Sequence, residues 1–541
     1  MGQETNSKEI DMYLYQSIPN KGFDTANPIH VQTSISSQPI PLDVNGDLRI
    51  DLLGLTPDGG SKLQVWKNVW NSSRTDSPLF DVQSSYFNDS HCQIANPHSN
   101  AVVDLNGDCL ADVFLVCDEG RGQKSFQIWL NKKSQSFVLA MQGSLPSGTQ
   151  SISFADIDRD GPMDMIFTTC KVVSSSGVGS DCYINIAYNQ QLRFMFLHDR
   201  LWHEEWCTNS PDNNAFVRFP VSSLFRDGHK QSLLVWDTSF DPPIPLSLRL
   251  GDANLDGFPD FLAIFASGND RTPYLPYSKH CASGVAGCDS KVRGGRGWEV
   301  ATNSGMKALA NGTLDILVQR TGLQDGSKVL FIQNNFYYDA FFLKAIALNG
   351  ACDSGWCYSA NGSERYHPFG VRYSGATYKY TVFDTLGHRS AAESKFVFVT
   401  SYPLLPLTHV EPIVGQLPQT SYHALQTPYS FFGLGRTNNY IENMFVGTTL
   451  HAPEHYINME GSVIPNSRVV ILPPADGGES GGTWKRELFL RSGDWIPWVT
   501  VTCVIGMVIL AIIVFVLHLN EKREDELERR RISHHINFDA L

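Results

Sequence analysis

Four short segments hold acidic and amide side chains at one spacing. Asp43, Asn45, Asp47 and Asp51 stand in DVNGDLRID; Asp104, Asn106, Asp108 and Asp112 in DLNGDCLAD. Asp156, Asp158, Asp160 and Asp164 stand in DIDRDGPMD; Asp252, Asn254, Asp256 and Asp260 in DANLDGFPD. Each places an oxygen donor at relative positions 1, 3, 5 and 9. Alternating donors in a tight turn point inward together, which suits a hard cation: calcium takes about six to eight oxygen ligands at about 2.3–2.6 Å. A glycine near positions 4 to 6 lets the chain turn sharply. A main-chain carbonyl near position 7 can complete the shell. An EF-hand would instead close with a bidentate Glu between two helices. Here a β-prone apolar run follows each closing Asp, so the loops join strands. A metal-free polar turn explains any one such segment, whereas four alike favour structural calcium. At extracellular levels, weak sites of about 10⁻⁴–10⁻³ M suffice to fill and rigidify such loops.

The elements that carry these loops must repeat. The first aspartates fall at 43, 104, 156 and 252, steps of 61, 52 and 96 residues. The long step implies either a unit whose loop has lost its ligands or an insertion. KALANGTLDILVQ reads as a degenerate fifth copy: Asp315 keeps the closing position, but Lys307 replaces the first Asp. Repeats of about 50–60 residues built from short strands fit four-stranded propeller blades. From Asn334 to Leu490 the loops stop, and Tyr, Phe, Val and Thr dominate between Gly and Pro punctuation. That stretch predicts a β-sandwich or similar β domain.

The loop pattern resembles the FG-GAP repeats of integrin α-subunit β-propellers, whose loops bind calcium at the propeller rim. The resemblance implies an all-β fold with a propeller over residues 1–330. It also implies seven blades; about five units are countable, so N-terminal blades are expected to be missing. YHALQTPYSFFGLGR resembles the element that follows FG-GAP repeats in ASPIC/UnbV-type proteins, with Phe432, Gly433, Leu434 and Gly435 carrying the match. The bland reading of FGLG, a glycine turn with a structural role, is preferred. The order of repeats, FFGLGR, VIPNSRVVILP, one span and a tail ending FDAL resembles the T-cell immunomodulatory protein family, also called Linkin. That family is linked to cell adhesion, tissue integrity and modulation of T cells, without a known catalytic activity.

Ile496 to Leu517 contains no charged residue. At about 1.5 Å per residue it can cross a hydrocarbon core of roughly 30 Å. Trp495 and Trp498 stand where indoles favour the interface. Lys522, Arg523, Arg529, Arg530 and Arg531 follow the span, against Lys485, Arg486 and Arg491 before it. The bias favours a cytoplasmic C terminus and a type I protein of the plasma membrane. The expected division is 1–330 repeats, 331–475 β domain, 476–494 juxtamembrane linker, 495–519 transmembrane helix and 520–541 cytoplasmic tail. The tail either docks a cytoplasmic partner or is a plain stop-transfer anchor. MGQETNSKEIDMYLY has no apolar signal-peptide core. An incomplete N terminus or an alternative start is expected.

Eleven cysteines occur, ten of them before residue 360, with none in a CxxC or at zinc spacing. An even set outside the membrane fits disulfides in an oxidising compartment. The close neighbours Cys109/Cys117, Cys170/Cys182, Cys281/Cys288 and Cys352/Cys357 leave connectivity open. Sequons at Asn71, Asn88, Asn311 and Asn361 fall on the outer side and predict glycosylation. A net charge of −13 argues against a nucleic-acid partner.

No catalytic set emerges. ACDSGW lacks the glycine that follows a trypsin-like nucleophile, His203-Glu204-Glu205 lacks zinc-protease spacing, and GGRGW lacks a phosphate-loop lysine and reads as a turn. The preferred function is therefore not enzymatic: a membrane-anchored adhesion or receptor-like protein binding an extracellular or cell-surface protein. The alternatives are a membrane-anchored propeller hydrolase and the precursor of a shed ligand, cut in ADGGESGGTWKREL.

Overall fold

The chain folds as two compact units, residues 1–489 and 490–541, in the computed structural model. The structure describes residues 2–4, most of 9–189, 216–300 and 429–474, parts of 316–428, and most of 484–532. Segments outside it include 190–215, 301–315, 333–339, 391–412, 475–483 and 533–541.

Within the larger unit, three antiparallel four-stranded sheets follow one another in strict chain order. They run from Ile40–Leu42 to Phe80–Gln83, from Asn100–Val103 to Phe137–Ser144, and from Thr149–Ala155 to Phe216–Pro220. Each is a meander, so every pairing is local and each sheet is one repeat. A three-stranded sheet, Gly2–Glu4, Glu9–Leu14 and Ile29–Ile35, precedes them. The fourth loop joins Arg249–Gly251 to Asp260–Ser267. Apolar side chains between neighbouring sheets build the core. Leu53 and Val65 of the first repeat pack with Val113, Leu115 and Trp129 of the second. Phe114 and Ile128 of the second pack with Met165 and Phe167 of the third. This is propeller-type stacking, in which each blade buries its neighbour's face.

In the 96-residue step between the third and fourth loops, the described residues form no further four-stranded sheet of their own. The third sheet takes its last strand from Phe216–Pro220, beyond residues 190–215. A short hairpin of Trp236–Asp237 with Ile244–Pro245 then precedes the fourth loop. The fifth copy at Lys307 and Asp315 lies outside the described residues, as do Asp160, Cys352 and all four sequon asparagines.

Between residues 341 and 490, two further sheets pack as a β-sandwich. Its first sheet runs Val371–Arg372, Phe341–Asn349, Ser467–Leu472, Lys485–Leu490, with Ser430–Gly435 also on Phe341–Asn349. Its second runs Arg389–Ser390, Thr377–Asp384, Thr437–Gly447, Tyr456–Val463, with Ile413–Gly415 also on Thr377–Asp384. Leu343, Ala345, Tyr378, Val382, Met444, Val446, Met459 and Ile471 fill the space between them. The strand Lys485–Leu490 extends this fold into the segment expected to be a linker. FGLG is a strand rather than a turn, lying in Ser430–Gly435.

Among the described residues three disulfides are formed: Cys92–Cys117, Cys170–Cys182 and Cys281–Cys288. Cys117 thus bonds outside its sequence neighbourhood, and Cys109 is a free thiol in the second loop. The second unit contains one continuous helix, Ile496–Ile532. It is long and apolar enough to cross a membrane. The helix does not stop at the end of the apolar run but carries the charged EKREDELERRR with it.

Candidate metal loops at the seam of repeats and sandwich

All four loops use their closing aspartate in the same way. The closing Asp accepts two backbone hydrogen bonds, one per carboxylate oxygen. Asp51 accepts from Val44 N–H at 2.9 Å and Asn68 N–H at 2.6 Å. Asp112 accepts from Leu105 and Asn131, Asp164 from Ile157 and Asn189, and Asp260 from Ala253 and Ser278, all at 2.8–3.0 Å. Each of these four carboxylates is wholly buried. One bond ties the loop shut and the other ties it to a later strand, a structural role that position alone did not announce. The first Asp caps the turn: Asp43 accepts from the N–H of Gly46, Asp47 and Leu48, and Asp252 from Asp256 and Gly257.

The turn needs left-handed residues at positions 4 and 6. Gly46 and Leu48 supply them in the first loop (φ 71° and 62°), Gly107 and Cys109 in the second, Leu255 and Gly257 in the fourth. Arg159 takes position 4 in the third at φ 56°. One glycine per loop is therefore not enough, and a second residue bears a backbone conformation unfavourable to L side chains.

The donor sets suit a cation. In the first loop the Asn45 side-chain oxygen is solvent-inaccessible and has no hydrogen-bond partner among the described residues. In the third, carboxylate oxygens of Asp156, Asp158 and Asp164 lie within 4.8 Å of one another. Burial, with the charges of Asp47 and Asp51 beside it and the Thr449 hydroxyl opposing, pushes Asp43 up to about 7. Burial likewise pushes Asp51 up to about 6 and Asp252 up to about 7, and holds Asp112 and Asp260 well above the usual carboxylate range. Crowded buried carboxylates are costly without positive charge, and a dication would supply it. Asp43, Asn45 and Asp47 would hold it in the first loop, and Asp156 and Asp158 in the third. Asp51 and Asp164 would offer their remaining lone pairs.

Every loop also meets the sandwich. In the first, the Thr449 hydroxyl donates to Asp43 Oδ2 at 2.5 Å, the Asn349 amide donates to Leu48 O, and Leu48 itself enters the sandwich core. In the second, Lys379 Nζ donates to Gly107 O at 2.6 Å, and His455 Nε2 lies 3.0 Å from Asp108 O. In the third, Arg159 Nη2 reaches the Tyr380 hydroxyl at 3.5 Å. In the fourth, Gly435 N–H donates to Leu255 O at 3.1 Å. Gly433 lies so close that a Cβ there would overlap Asp252 Oδ2. The FGLG glycine is thus the seat of the fourth loop.

Comparison with known proteins agrees with both halves. Residues 104–167 match the FG-GAP-like repeat, and residues 406–489 match the family described as ITFG1, C2 domain. A T-cell immunomodulatory protein of Macaca fascicularis is 30% identical, over 55% of this chain and 91% of that protein. The chain belongs to the T-cell immunomodulatory protein family. The Mus musculus member is 28% identical over 96% of this chain and 78% of its own length. Protein linkin of Caenorhabditis elegans is 22% identical over 95% and 78%. The matched FG-GAP region of this family member includes the second and third loops, and the C2 region includes Gly433, Thr449 and His455.

Two residues at the site carry no motif. Lys379 stands in YKY, an ordinary strand pattern, and Arg296 in GGRGW, read as a turn. Arg296 instead begins the strand Arg296–Val300 and bonds Asp256 Oδ2 at 3.1 Å. Its guanidinium lies 3.5 Å from the centroid of Phe258 in the same loop. His203-Glu204-Glu205 and ACDSGW lie outside the described residues.

Proposed function

We propose that this protein is a calcium-binding, single-pass type I protein of the plasma membrane that engages an extracellular or cell-surface protein in adhesion. The observation that carries the calcium reading is the fourfold recurrence of one buried loop geometry, with an unsatisfied amide oxygen in the first loop and three converging carboxylates in the third. Calcium is structural in this reading. It fills loops that sit between repeats and sandwich, and so fixes how the repeats are held against that domain. Rigid repeats with variable loops suit protein binding. The relatives' names, immunomodulatory protein and linkin, favour a cell-surface role, including one in T-cell modulation. Neither points to catalysis.

Chelation tests the calcium reading. The thermal midpoint of the detergent-solubilised protein should fall when calcium is removed and recover when it is restored. An unchanged midpoint would remove calcium from the account. Glycosidase sensitivity and protease protection on intact cells test the orientation. The repeats should carry glycans at Asn71, Asn88 and Asn311, with a further one at Asn361, and the C terminus should be shielded. Proximity labelling on intact cells would identify the partner. For the shed-ligand alternative, medium of expressing cells should contain a fragment ending near residues 475–488.

A further inference from the structure

The second loop, like the fourth with Arg296 on Asp256, is faced by a cationic side chain, but here the cation comes from the sandwich. Lys379 lies on the strand Thr377–Asp384, whose neighbouring Tyr378 and Tyr380 are buried in the sandwich core. Strand alternation therefore turns Lys379 to the opposite face, where it enters the loop of Asp104, Asn106, Asp108 and Asp112. Its ammonium donates to Gly107 O at 2.6 Å and stands 3.6 Å from Asp104 Oδ2. The Lys379 side chain is 13% exposed and that of Asp104 is fully buried. The nearest approach is thus to the first carboxylate of the set and to the backbone of the turn. A buried lysine is stable only with charge and acceptors around it, and this loop supplies both.

We infer that Lys379 is the resident cation of the second loop, a latch from the sandwich that takes the place of calcium there. The inference rests on the calcium reading of the first and third loops. A lysine ammonium and a calcium ion cannot share the same few ångströms beside Asp104, because their charges repel at contact distance. The junction of repeats and sandwich would then have two kinds of tie. One depends on calcium, and one is built into the chain and survives its removal. The free thiol of Cys109 belongs to the same environment: burial pushes it up to about 11, so it stays an uncharged neighbour.

Native mass spectrometry of the detergent-solubilised full chain with calcium, together with thermal unfolding in chelator, tests this. Lys379→Met should bind one calcium more than the unmodified protein, and Lys379→Met/Asp104→Asn should lose that extra ion. In chelator, Lys379→Met should lower the unfolding midpoint, and adding Asp104→Asn should lower it by less than the two single effects together. Equal calcium counts for the unmodified protein and Lys379→Met, with additive midpoint shifts, would overturn the latch. No calcium in any variant, with the non-additive shifts intact, would overturn the calcium reading and keep Lys379 as the loop's cation. If Lys379→Met fails to fold, Lys379→Arg offers a second arm: retained folding with an unchanged calcium count supports the latch, and a gained calcium overturns it.

Discussion

A carboxylate that accepts two buried N–H groups is costly to remove, because both donors lose their partner at once. Asp112→Ala leaves Leu105 N–H and Asn131 N–H unsatisfied in the interior. A loss of about 2–5 kcal/mol is expected from two such groups, measured by chemical denaturation. Asp112→Asn keeps one good acceptor and should lose less, even in chelator. Equal losses for the two would show that the two hydrogen bonds do not dominate at position 9. His98 gives a pH signature of its own. Its Nε2 lies 2.7 Å from Gln38 O, its Nδ1 lies 2.9 Å from the Asn100 amide, and burial pushes its pKa from 6.5 down to about 4. The folded state holds the ring neutral while the unfolded chain protonates it. The sign is therefore a loss of stability as pH falls from about 6.5 to about 4, with nothing lost above that window, amounting to roughly 3 kcal/mol. Denaturation midpoints of the protein and His98→Gln should converge across that range, and parallel curves would rule His98 out as the source.

At the scale of elements, the strand Ser430–Gly435 fits its surroundings with no room to spare. Leu434 and Phe432 are buried in the sandwich core, and between them Gly433 presents bare backbone to Asp252. Gly433→Ala would force a methyl into a carboxylate and the Leu255 backbone. Overpacking of this kind costs typically about 1–3 kcal/mol. The expected result is a lower unfolding midpoint, with the fourth loop losing protection in amide hydrogen exchange. Unchanged protection around Asp252 would place the strain elsewhere. Gly447 is the same device at the second loop, where a Cβ would overlap Cys109 O. Glycine at these strand positions weakens the strand itself, and close backbone approach explains its presence better than turning does.

For the larger unit as a whole, the loops make the junction of repeats and sandwich both buried and ionic. Calorimetry should therefore show one cooperative transition for residues 1–489 in calcium and two resolved transitions in chelator, as the loops of the first and third repeats lose their ion. A single transition under both conditions would mean that apolar contacts such as Leu48 in the sandwich core suffice. The helix Ile496–Ile532 stands as a unit of its own, with its apolar part bounded by charge at the C-terminal end.

The loops, their strand-loop-strand setting, the all-β class and the apolar span were legible in residue order alone. The physical reason is that each depends on local spacing: oxygen donors at positions 1, 3, 5 and 9, period-two strands, and an uncharged run long enough for a bilayer. Tertiary structure decided what the loops face. Lys379, Thr449 and Gly433 lie far along the chain from the aspartates they meet, 406 residues in the case of Thr449 and Asp43. No local pattern marks a lysine or a glycine in a strand as a partner of a distant carboxylate. It likewise decided that Cys117 bonds Cys92, that Phe216–Pro220 completes the third sheet, and that Arg296 starts a strand bearing on Asp256. Such pairings depend on which faces of the sheets pack together, and that is settled only when the whole core closes.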